Sequence, residues 1–152
     1  YPHTLLNASI SGETTAGGLR RLPDLLEKHA PEIVIIELGG NDGLRALSIE
    51  TMRANLQKMI ELSQAARAQV LLLGMRIPSN YGPAYTESFH AVFGEVAAEH
   101  NTALVDFFLD PVALKPEYFQ ADRIHPKASA QPLMLDHIWP DLMLLLDKSS
   151  AQ

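Results

Sequence analysis

The sequence predicts an α/β domain of the doubly wound type, with a parallel sheet between layers of helices. Two observations lead there. Apolar runs of strand length alternate with segments of helical periodicity, and the runs "EIVIIEL" and "QVLLLGM" are continuous, as in strands covered on both faces. Each connection between runs is also long enough to hold a helix, the crossover that parallel strands require.

The elements follow in order. "TLLNASI" (4–10) reads as a first short strand. "AGGLRRLPDLLEKHA" follows, with Leu19, Leu22, Leu25 and Leu26 at helical spacing and His29 in its last turn. "EIVIIEL" (32–38) is the second strand. Ser48 is an N-cap candidate for a helix whose Met52, Leu56, Met59 and Ile60 form one stripe. "QVLLLGM" (69–75) is the third strand, and the Pro/Gly/Asn-rich "RIPSNYGPAY" after it reads as a loop. Tyr85, Phe89, Val92, Phe93 and Val96 share a face of the next helix, and "TALVDFF" is a fourth strand candidate. The stretch "LDPVALKPEYFQADRIHPKASAQ" is irregular, and a closing helix is expected to be interrupted or bent near Pro140.

The chain has 152 residues, one domain's length, and no internal repeat or linker. A net charge of -6 without a Lys/Arg cluster argues against a nucleic-acid surface. No apolar stretch approaches the roughly 18 residues of a membrane span. Having no cysteine excludes disulfides and thiolate chemistry. No His/Asp/Glu set has metal-ligand spacing and no phosphate-cradling loop is present, so neither a metal nor a cofactor is implied. The chain opens on Tyr1 rather than Met, and a preceding segment is expected.

In sheets of this kind ligands sit beyond the carboxyl ends of the strands, which directs attention to "SGETT", "GGNDG", "RIPSNYG" and "ADRIHP". Asp122 and His125 stand three apart in the last of these. Acyl transfer needs an imidazole to move a proton and a carboxylate to orient that imidazole, although such a pair alone is more often a surface pair or a cap. In "GGNDG", Gly39 and Gly40 permit close approach of a ligand, and the Asn41 amide is an uncharged donor suited to an oxyanion. Alone that stretch is turn chemistry ending a strand. Gly12, after the first strand, can turn a backbone N–H into the crevice, while its Ser and Thr neighbours cap the following helix. His3, His29, His90, His100 and His137 read as surface, cap or core residues.

Taken in order, "NASISGETTAGGLRRLP", "ELGGNDGLR", "RIPSNYGPAY" and "LKPEYFQADRIHP" resemble the SGNH (GDSL-type) hydrolases over nearly the whole chain. The similarity is strongest to the bacterial acyl-CoA thioesterase I, lysophospholipase and arylesterase group. The resemblance implies a flavodoxin-like three-layer α/β/α sandwich and serine esterase or thioesterase activity. It assigns the oxyanion hole to Gly12 N–H and the Asn41 side chain, and the acid and base of a triad to Asp122 and His125. It places Gly40, Leu44, Ile77, Pro78, Asn80 and Tyr81 around the acyl group. A periplasmic or secreted location follows from the same similarity.

One departure stands out. The family's nucleophile is the serine of a Gly-Asp-Ser-Leu block at the end of a first, central strand, and no Gly-Asp-Ser occurs here. Ser9 and Ser11 are near the right loop, but the family pattern makes them strand-end and turn residues. The expectation is therefore a domain over 1–152 that lacks its N-terminal central strand, with that strand and its serine supplied by a docked peptide or a part outside these residues. The expected substrate is a small acyl ester or thioester, with no nucleic-acid partner and no transmembrane segment. Two rival readings remain: a carbohydrate (acetyl) esterase of the same superfamily, and an inactive fragment or binding module on the same fold.

Overall fold

The computed structural model describes residues 3–149. Its elements run α1 (Thr15–His29), β1 (Ile33–Ile36), α2 (Gly40–Leu44), α3 (Ile49–Ala65), β2 (Gln69–Leu73), α4 (Pro83–Glu99), β3 (Ala103–Val105) and α5 (Gln131–Ser149). The strands form one parallel sheet in the order β1-β2-β3, with Ile33 opposite Gln69 and Leu71 opposite Ala103.

The period of two along each strand divides the core. Ile36, Val70 and Leu72 point into the main cluster with Leu22 and Leu26 of α1, Leu56 and Ile60 of α3, and Phe89 and Phe93 of α4. Leu71, Leu73 and Val105 face the other way, onto Ile138 and Leu145 of α5. The expected α/β fold with helices on both faces is thus present. Helix starts follow local chemistry: the Ser48 side chain accepts from Thr51 N–H at the start of α3, and Thr14 does the same for Gly17 N–H at α1.

Three sequence expectations are corrected. The predicted strand 4–10 does not form: the stretch is irregular, and Leu5, Leu6 and Ile10 are exposed. A strand exists only against a partner, and among the described residues none pairs with this stretch or with the outer edge of β1. On the α5 face of β1, Ile33 packs against the Ile138–Leu145 cluster while Ile35 stays 38% exposed. The closing helix is continuous across Pro140. Lastly, "GGNDG" is not a plain turn, because Gly40 to Leu44 coil into the short helix α2. Gly39 enters it at φ +106°, and a Cβ there would stand 2.9 Å from the Phe93 ring.

Candidate active site

The carboxyl end of β1 leads into α2, and α2 grips the segment preceding α1. Residues Ile10 to Glu13 make a tight turn closed by Glu13 N–H on Ile10 O (3.2 Å), with Gly12 third at φ +75°. That is the left-handed angle a type II turn demands at its third position. The Asn41 amide donates to Glu13 O (3.0 Å), and the Arg45 guanidinium donates to Gly12 O (3.0 Å). An amide has two N–H groups, so Asn41 is anchored by one and keeps the other.

Beneath this contact lies a residue that the motif reading did not single out. Asp42 is 4% exposed; it accepts from Thr15 N–H (2.9 Å) and from Thr15 Oγ1 (2.5 Å). Asn55 of α3 donates to Thr15 Oγ1 (3.0 Å), so every part of this buried set is satisfied. Because Thr15 is the first residue of α1, the carboxylate also sits at the positive end of that helix. The only hint in sequence was an acid beside Asn41 and a Thr-Thr pair opening a helix, with nothing to say that they meet.

Past β3, the pair at residues 122 and 125 is assembled by its own short stretch of chain. Asp122 Oδ1 accepts from Ile124 N–H (2.9 Å) and His125 N–H (3.0 Å), while Oδ2 lies 2.7 Å from His125 Nδ1. Arg123 takes φ +59° to make the turn, which Gln120 N–H closes on His125 O (2.8 Å). The hydrogen bond from His125 and the two backbone N–H groups hold the exposed Asp122 carboxyl down at about 2. An ionised carboxylate only accepts, so Nδ1 carries the imidazole proton and Nε2 is left as the acceptor.

The two loops expected to surround an acyl group are tied together. Tyr81 OH donates to Leu44 O (2.7 Å), and Tyr85 OH to Leu47 O (3.0 Å), with the two rings stacked at 6.3 Å. Burial first, then the charge of Asp42 and the neighbouring Tyr81, push the Tyr85 phenol up, which keeps it a donor. Pro78 and Asn80 are exposed, and Gly40 lies against the Met75 methyl group. Ile77 is different: at 8% exposure it belongs to the main core, close to Gly43 and Phe89.

Asn41 lies just past the carboxyl end of β1 and the Asp122–His125 pair follows β3 in the chain, and the bonds join the four expected residues only in two pairs. Gly12 and Asn41 share the α2 contact, Asp122 and His125 share theirs, and among the described residues no hydrogen bond or ion pair links one pair to the other. Of the remaining histidines, His90 packs against Arg76 (2.7 Å) and Asp106 (3.2 Å), and His137 Nε2 meets Phe107 O (3.1 Å). Among the described residues no cluster of three His, Asp or Glu is placed to hold a metal, and no helix is long and apolar enough to cross a membrane.

A parallel α/β sheet with an Asn-bearing helix after one strand and a His–Asp pair in the chain after another has the form of an acyl-transfer hydrolase. A family model described as the GDSL-like lipase/acylhydrolase family matches residues 1–131, and the chain belongs to that family. It is 51% identical over 146 residues to the esterase TesA of Pseudomonas aeruginosa, across 96% of this chain and 73% of that protein. It is 42% identical over 147 residues to thioesterase 1/protease 1/lysophospholipase L1 of Escherichia coli, across 97% of this chain and 71% of that one. A crystal structure of TesA superposes with a TM-score of 0.92 at 51% identity, covering 95% of this chain and 81% of that chain.

Proposed function

We propose that the protein hydrolyses acyl esters and thioesters through a Ser-His-Asp triad whose serine lies on a segment outside the 152 residues. The observation that carries this is the Asp122–His125 pair: a carboxylate fixed by two backbone N–H groups, orienting an imidazole at 2.7 Å. The names of the relatives, an esterase and a thioesterase/lysophospholipase, support the substrate class.

The serine hydroxyl attacks the acyl carbonyl while His125 Nε2 takes its proton. Negative charge develops on the carbonyl oxygen, where Gly12 N–H and the second N–H of the Asn41 amide donate to it. Collapse breaks the bond to the alcohol or thiol, which leaves with the proton from His125. Water then repeats the cycle on the acyl-enzyme and releases the acid. Asp122 stays ionised throughout, stabilising the imidazolium without taking its proton.

The outer edge of β1, unpaired among the described residues, the exposed Ile35 beside it and the exposed apolar residues of 4–10 support a further strand there. That strand would carry the serine to the same edge of the sheet. A periplasmic or secreted location follows the resemblance to the same group. Asn41→Ala is the test of the site. It should lower kcat by about two orders of magnitude, the effect of removing one oxyanion donor, and cost about 0.5–1.5 kcal/mol of stability through the lost bond to Glu13 O. Near-normal turnover in that variant refutes the site.

A further inference from the structure

We propose that Arg45 is a positioning residue for the oxyanion hole, keeping the two proposed donors at a fixed separation. This deepens the function proposed above and rests on it. Gly12 belongs to a segment that joins no strand, and residues 9–12 are exposed. Its backbone N–H, the proposed donor, engages no protein acceptor among the described residues. Its carbonyl, in contrast, is held by the guanidinium of Arg45 at 3.0 Å, and the next carbonyl, that of Glu13, by the Asn41 amide at 3.0 Å.

Both grips come from one short element. Asn41 lies in α2 and Arg45 caps its C-terminal end, with Arg45 N–H bonded to Asn41 O. The helix that carries one donor therefore also holds the peptide next to the other. Preorganised donors work because they are already aimed when charge develops, and an error near 1 Å can cost roughly a hundredfold. The remaining ties on the upstream side come from Arg21, which binds Ala8 O (2.6 Å) and the Glu13 carboxylate (3.2 Å). Neither of these touches Gly12. Without Arg45 the turn is anchored on both sides but loose at the residue that matters.

Arg45 is exposed, and a contact to an anionic substrate is the competing role. Steady-state kinetics of the full-length protein separate the two, using a neutral p-nitrophenyl acyl ester and an anionic acyl-CoA with Arg45→Met, Arg45→Lys and Asn41→Ala. Positioning predicts that Arg45→Met lowers kcat roughly tenfold on both substrates, with KM within about twofold, and that Arg45→Lys recovers most of the loss. A KM increase confined to acyl-CoA makes Arg45 a substrate contact and overturns the proposal. Unchanged kcat in Arg45→Met, while Asn41→Ala loses about two orders of magnitude, overturns it as well. If Asn41→Ala itself keeps normal turnover, the oxyanion site fails independently of what Arg45 does.

Discussion

The Gly12 turn and the Asp122–His125 pair are the two halves of the proposed site, and they are held in different ways. On the Gly12 side the bonds join residues 27 to 40 positions apart, from Asp42 to Thr15, Asn41 to Glu13, Arg45 to Gly12 and Asn55 to Thr15. On the Asp122 side they join residues two to five positions apart. The first region is a junction of α1, α2 and α3 and exists only when those elements have packed. The second is a self-contained turn that needs little from the rest of the fold. A change in the acid–base pair should therefore remove chemistry and leave the fold, whereas a change under the oxyanion turn should damage both.

The sharpest break of that contrast is Asp122→Asn. The expected loss is about four orders of magnitude in kcat, since an amide cannot hold the required tautomer. The melting temperature should fall only slightly, because the pair is exposed and its bonds are local. A circular-dichroism melt beside the rate assay reads both quantities, and a large drop in melting temperature would contradict the local origin of this turn.

Asp42→Ala should do the opposite. It strips the acceptor from Thr15 N–H and Oγ1 in a buried place, costing about 1–3 kcal/mol in urea unfolding. Turnover should fall as well, through Asn41 and the Gly12 turn. A variant with wild-type stability would show that the junction is not cohesive.

A smaller effect is expected from pH. The Asp122 carboxyl is held at about 2, below its unfolded value near 3.9, so its bonds contribute fully above that value. The contribution fades as pH falls from about 4 to about 2. Carbon NMR of the side-chain carboxyl should titrate at about 2 in the native protein and move up towards the ordinary Asp range in His125→Ala, which removes the largest cause of the shift and leaves the two backbone bonds. No inflection of activity above about pH 4 belongs to Asp122.

The smallest change expected is Tyr81→Phe, which loses the bond to Leu44 O. About 0.5–1.5 kcal/mol of stability should go, and the effect on turnover should vary with acyl chain length. Equal effects on short and long chains would dissociate this clasp from the acyl group.

What was legible in the sequence follows the same division. The Ser48 cap and the stripe Met52, Leu56, Met59 and Ile60 are local patterns, and α3 forms as they dictate. Asp122 and His125 are legible because their spacing alone brings them together. Residues 4–10 do not form the expected strand because local sequence says nothing about whether a partner strand is present. Asp42 escaped because its partner, Thr15, is 27 residues away and no periodicity links them. Ile77, which the resemblance puts around the acyl group, packs in the main core beside Gly43 and Phe89, a contact that motif order does not disclose.

The most direct measurement is intact-mass and peptide analysis of the purified protein after treatment with a fluorophosphonate. The account predicts one adduct on a serine outside the 152 residues, with labelling abolished in His125→Ala. An adduct on Ser9 or Ser11, or labelling that persists in His125→Ala, contradicts it.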